Sequence, residues 1–106
     1  MKFLCLAYGA EKDWNSLSKD KQADLLAQDD RLRARGDLTF AVAPPTCVRA
    51  WEGSPVTTPG PYARAELPLA GFGLIEASDL EEAIALVAKT PCAVARGVVE
   101  VWPIRS

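Results

Sequence analysis

An α+β domain, with two helices laid on one face of an antiparallel sheet, is the fold class this chain predicts. Three observations point to it. Short apolar runs of strand character recur along the chain, at Lys2 to Tyr8, Asp37 to Ala43, Thr46 to Trp51, Ala70 to Glu76 and Gly97 to Ile104. Two stretches with helix start and stop signals separate them. The length of 106 residues and a hydrophobic content of 49% suit one core and one domain, residues 1–106. A chain of this size buries roughly two thirds of its unfolded surface, so its core needs no disulfide or metal.

Each element follows from its residues. Lys2 to Tyr8 is apolar on both alternating faces, too short for a helix, and stopped by Gly9, which makes it a strand covered on both sides. A polar loop holding Trp14 follows. Ser18 then serves as N-cap of a helix that ends near Arg35, with Gly36 supplying the left-handed terminal position. Leu17, Ala23, Leu25, Ala27 and Leu32 form its buried stripe, and the charged remainder, from Lys19 to Arg35, is a solvated face with some i, i+4 pairing. Asp37 to Ala43 and Thr46 to Trp51 read as a hairpin turning at Pro44-Pro45, since proline cannot donate to a ladder.

From Gly53 to Pro61 there are too many breakers for any regular element beyond a short edge piece at Val56 to Thr58; this is the main loop. In the strand Ala70 to Glu76, Gly71 and Gly73 share a face with Ile75, so the missing side chains allow a close approach there. Ser78 with Glu81 three residues on reads as a capping box opening a helix from Asp79 to Lys89. Its apolar face is Leu80, Ala83, Ile84 and Val87, and Pro91 marks its exit. The last strand, Gly97 to Ile104, places Val99 and Val101 on one face and Val98, Glu100 and Trp102 on the other. This order is the split βαβ, ferredoxin-like βαββαβ arrangement. Because several strands are apolar on both faces, the sheet face without helices demands a cover, and a homodimer joined sheet to sheet supplies it.

Charge and composition exclude several functions. Twelve basic against 14 acidic residues, a net charge of −2, give no field to attract a phosphate backbone, so nucleic acid is not an expected partner. No apolar run approaches a membrane span, and the short run Phe3 to Ala7 is no signal peptide, so no membrane partner and a cytoplasmic location are expected. Cys5, Cys47 and Cys92 are odd in number and widely spaced, which argues against a disulfide framework or a zinc site. No metal and no cofactor are expected. Histidine is absent, which removes histidine-based acid–base catalysis.

The opening Met-Lys-Phe-Leu-Cys-Leu-Ala-Tyr-Gly, Ala43-Pro44-Pro45-Thr46, Val56 to Tyr62, Leu69 to Glu76 and Val99 to Ile104 occur in an order that resembles the YCII-related proteins, specifically the DGPF-domain branch. The resemblance covers nearly the whole chain. It implies a dimeric α+β barrel whose two ferredoxin-like subunits pack their sheets around a shared cavity. It also implies a candidate enzyme class, since relatives carry a His and Asp pair and at least one acts on a chlorinated hydroxyquinol. A companion role to transcription regulators is a further implication. Two departures bear on function: Pro59-Gly60-Pro61-Tyr62 stands where the family reads Asp-Gly-Pro-Phe, and Trp102 stands where an arginine is usual.

Without histidine, acid–base work falls to carboxylates, tyrosine, lysine or cysteine. Glu76 and Glu100 are the candidate catalytic pair, each on an otherwise apolar strand; inward-facing and close together, one would hold its proton. The alternative is a structural ion pair with Arg49, Arg96 or Arg105. Tyr62 and Arg64 could present a hydroxyl and a guanidinium to an anionic molecule at a cavity mouth. Arg49, Trp102 and Phe72 complete the candidate ligand set, with core or dimer interface as the alternative for the aromatics. Cys5, mid-strand among apolar neighbours, is packing. The expected function is binding of a small molecule in a barrel cavity; the alternatives are a cofactor-free isomerase, lyase or dehalogenase on a small cyclic substrate, and a regulatory interaction module.

Overall fold

In a computed structural model describing residues 1–105, a four-stranded antiparallel sheet carries the fold. In chain order the elements are β1 (Lys2–Tyr8), α1 (Glu11–Asn15), α2 (Lys19–Ala34), β2 (Leu38–Ala41), β3 (Thr46–Arg49), β4 (Val56–Pro59), β5 (Leu69–Glu76), α3 (Leu80–Val87), α4 (Pro91–Val94) and β6 (Val98–Pro103). The sheet order is β2-β5-β1-β6, and β3 and β4 form a separate two-stranded ribbon. With the ribbon set aside, the order is that of the ferredoxin-like fold.

β1 and β5, the most apolar runs, take the centre. Phe3 faces Ile75 on one side and Pro103 on the other, and Cys5 faces Gly73 and Val101. Alternation places Phe3, Cys5, Ile75, Val99 and Val101 on the helix side, where they join Ala77, Ala83 and Val87 in the core. Ser18 caps α2 by accepting the Lys21 amide, and Gly36 follows the helix with φ 98°. From α2, Leu25 and Leu32 are buried, and buried Gln28 donates to the Leu86 carbonyl, tying α2 to α3. Buried Asp37 accepts the Glu76 amide through Oδ1, and its Oδ2 lies 3.5 Å from Arg35 Nε. No helix among the described residues is long and apolar enough to cross a membrane.

Several local expectations are corrected. The strands on either side of Pro44-Pro45 do not pair with each other. β2 pairs with β5, and β3 pairs with β4, so the edge piece at Val56 is the true partner of Thr46–Arg49. The diproline redirects the chain instead of closing a hairpin. The Trp14 loop contains the short helix α1, and Pro91 starts α4 at its first position, where a missing N–H costs nothing. The capping box sits one residue later than expected: Asp79 accepts the Glu82 amide, and Glu82 accepts the Ser78 amide. A carboxylate makes the stronger, charge-assisted cap, so it wins over the adjacent serine. α3 ends at Val87 and turns Ala83, Leu86 and Val87 inward, leaving Leu80 and Ile84 exposed; Ala23 on α2 is also exposed.

The other sheet face carries Leu4, Leu6, Tyr8, Leu38, Phe40, Phe72, Leu74, Val98 and Trp102, with no helix among the described residues packed over it. Phe40 and Phe72 face each other in register, ring centroids 5.4 Å apart.

Candidate functional site

The helix side of the sheet carries a half-open cavity of about 310 Å³. Its origin is local. Gly71 and Gly73 on β5 face α2, and where ordinary strand residues would fill the layer there is only backbone. Cys5, Ala7 and Val99 complete the floor, Thr39 and Ala41 form the β2 wall, α2 contributes Leu26, Asp29 and Arg33, and α4 contributes Cys92.

The lining is mostly apolar, with Asp29, Arg33 and Thr39 among its polar members. Thr39 Oγ1 is buried and has no hydrogen-bond partner, although a hydroxyl in such a place normally finds one. Asp29 is half-buried, and burial pushes its carboxyl above the ordinary value of 3.8; Arg33 opposes this and Asp30 adds to it. Arg33 is itself held at the rim, 3.2 Å from Asp30 Oδ1. Burial, then the charge of Asp29, raises the Cys92 thiol, and burial, then the charge of Asp37, pushes Cys5 up to about 11. Both thiols are therefore protonated and weak as nucleophiles. A protonated Asp29 donates a hydrogen bond and an ionised one accepts, so this wall of the cavity can meet a carbonyl or a hydroxyl. No group of three or more Cys, Asp or Glu side chains among the described residues is arranged to hold a metal ion.

The residues singled out from sequence lie elsewhere, with one partial exception. Glu76 is exposed at the end of β5 and pairs with the N-terminal ammonium at 3.2 Å. Glu100 is exposed on edge strand β6, 3.4 Å from Trp102 Nε1, and the Tyr8 hydroxyl is raised by desolvation and then by Glu100. Glu76 stands opposite Lys2 and Glu100 opposite Leu6, so four residues and two strand spacings separate them, about 16 Å. The single chain does not bring the two carboxyls together, and both lie on the open sheet face. Arg49 has its guanidinium 5.6 Å from the ring centroids of both Trp51 and Tyr62, out on the β3–β4 ribbon. Arg64 is exposed beyond it, and Trp102 is on the open face. Phe72 borders the cavity through its place in β5, while its ring meets Phe40 on the other side. Sequence reasoning missed Asp29, Arg33, Thr39 and Cys92; the signal able to find them was the Gly71/Gly73 gap, which marks the layer above it as the place for a ligand.

Comparison with known proteins adds a fold and a family. The structure is similar to 5-chloro-2-hydroxyhydroquinone dehydrochlorinase from Burkholderia phenoliruptrix AC1100, solved in complex with 2,5-dihydroxybenzoquinone. The two are 19% identical over 97% of this chain and 94% of that one, with a TM-score of 0.50. At that identity the likeness shows the shared α+β fold. No curated protein sequence matches the chain. The family model of the YCII-related domain matches residues 1–106, the whole length on which sheet, helices and cavity are built, and the chain belongs to that family.

Proposed function

We propose that the protein binds a small, largely apolar molecule with an oxygen handle in the cavity between α2, α4 and the sheet, and that it works as a homodimer. The observation that carries the reading is a half-open pocket floored by two glycines and lined by half-buried Asp29 and by Thr39, whose hydroxyl has no partner in the chain. Apolar surface left wet in such a pocket favours an apolar ligand, and a ligand oxygen that reaches Thr39 would give its hydroxyl the partner it lacks. The volume lies at the lower end for ligand sites, which suits a single substituted ring. The similar dehydrochlorinase, solved with a dihydroxybenzoquinone, supports this choice of ligand class.

A second reading, cofactor-free isomerase, lyase or dehalogenase chemistry on a small cyclic substrate, is favoured by Asp29. A carboxyl raised towards the working pH in a cavity wall is suited to carrying a proton. Glu76 and Glu100 would serve only a cavity formed between subunits on the open face.

The test is a thermal-shift and titration series of wild type and Thr39→Val against dihydroxybenzoquinones, hydroxyquinols and other monocyclic phenols. A ligand at 100 times its dissociation constant adds about 2.7 kcal/mol. In the wild type a member of this class raises the melting temperature. Thr39→Val removes the orphan hydroxyl with little change of shape, so the unliganded variant is as stable as wild type or more so, yet binds at least fivefold more weakly. A blank across the series, or equal affinity for both proteins, overturns the assignment.

A further inference from the structure

The β3–β4 ribbon has no core of its own. Between residues 42 and 68 no side chain is buried, and Val48 (63%), Trp51 (87%), Val56 (64%) and Tyr62 (81%) stand in solvent. Its two four-residue strands pack chiefly on each other. A lone two-stranded hairpin is at best marginally stable in water. The ribbon is rooted by the Val42 amide on the Ala70 carbonyl and the Gly9 amide on the Pro68 carbonyl, and closed by the Gly60 amide on the Pro45 carbonyl. Beyond these roots it projects.

The whole chain records that projection. Its radius of gyration is 15.5 Å, against about 13 Å for a compact chain of this length. The accessible surface is 7740 Å², about 2,000 Å² more than a folded monomer of this mass exposes. A standard interface takes about 800 Å² from each partner, so the excess is ample for a stable dimer. The exposed ribbon and the open apolar sheet face both contribute to it.

We propose that the β3–β4 ribbon is a clasp that closes over the open sheet side of a second copy of this chain, each protomer's ribbon embracing the other. The proposal rests on the homodimer reading above and says which part of the chain seals the dimer. Isologous two-fold contacts need one surface that complements itself, and a ribbon plus an uncovered sheet in the same chain meet that need reciprocally. Sheet-to-sheet packing alone leaves Trp51, Tyr62, Val48 and Val56 wet, whereas the clasp buries them. Arg49 seated between Trp51 and Tyr62 gathers the three residue types that most often dominate interface energetics.

Two measurements on the full chain test it. Sedimentation equilibrium compares wild type with the double variant Trp51→Ala, Tyr62→Ala, both sites being solvent-exposed in the single chain. The expected result is a dimer dissociation constant at least tenfold higher in the variant. Hydrogen exchange of the wild type, followed as a function of concentration, is expected to show amides of 46–49 and 56–59 gaining protection as dimer forms. If dimer forms with an unchanged constant and these amides exchange equally fast throughout, the clasp is wrong while the dimer stands. A wild type that stays monomeric at every concentration removes both, and a different protein then covers the ribbon.

Discussion

At Asp29 a charged residue on a helix surface becomes part of a cavity. In sequence it sits in an Asp-Asp-Arg run that reads as solvated, and only the glycines far along the chain, Gly71 and Gly73 on β5, convert its position into a wall. Its folded pKa is raised by burial, so the protonated form is the better one in the folded protein. The sign of the pH effect follows. The contribution is fully present below the unfolded value near 3.8 and is lost as pH rises through the raised folded value. Asp29→Asn, which cannot ionise, is therefore expected to be more stable than wild type at pH 7, with the gap closing as the pH falls below about 4. Chemical denaturation of both proteins across pH 3 to 8 checks this; a gap independent of pH contradicts it. Glu76 and Glu100 illustrate the converse. A glutamate on an apolar strand looks buried, but β1, β5 and β6 are apolar on both faces, and alternation within one strand does not say which face the helices cover. The structure puts both glutamates on the uncovered one.

Among the elements, β1, α2, β5 and β6 were legible because each has a strong local signal: an uninterrupted apolar run, a serine cap with a terminal glycine, or clean alternation. The β2 to β4 region was not. Pro44-Pro45 between two strand-like runs suggests a turn, yet pairing is settled by tertiary partners, and the glycines of β5 give β2 a better neighbour. Gly71 and Gly73 thus have two consequences: they open the cavity and let β2 close in. A β-carbon at Gly71 would run into the Phe40 carbonyl, while at Gly73 it would come within 3.2 Å of the Leu38 carbonyl, a contact that small shifts relieve. Gly71→Ala is accordingly expected to cost about 1–3 kcal/mol, the range for overpacking, and Gly73→Ala less. Urea unfolding of the two variants reads the difference directly, and equal stabilities would show that β2 moves freely enough to absorb either methyl.

For the molecule as a whole, the sequence carried the argument for a partner further than for a ligand, because too much apolar surface is a property of the entire sheet. The open face holds Phe72 against Phe40 at its centre, flanked by Leu4, Leu6 and Leu74. Phe72 is only partly buried in the single chain, and its ring is directed away from the core that Phe3, Cys5 and Ile75 build on the other side. A carboxylate there is tolerable in water but not in an apolar interface, where an unpaired charge costs several kcal/mol. Phe72→Glu is thus expected to give a folded monomer: native-like far-ultraviolet circular dichroism, a sedimenting mass of one chain, and a melting temperature independent of concentration, whereas that of the wild type rises with it. The alternative assembly pairs the exposed edge of β6 with its copy through main-chain hydrogen bonds. That contact runs along the side of the sheet, two strands away from Phe72, and would survive the substitution. A Phe72→Glu protein that still sediments as a dimer would therefore move the interface from the open face to the β6 edge, and would leave the Phe40–Phe72 cluster to be covered by something other than a second sheet.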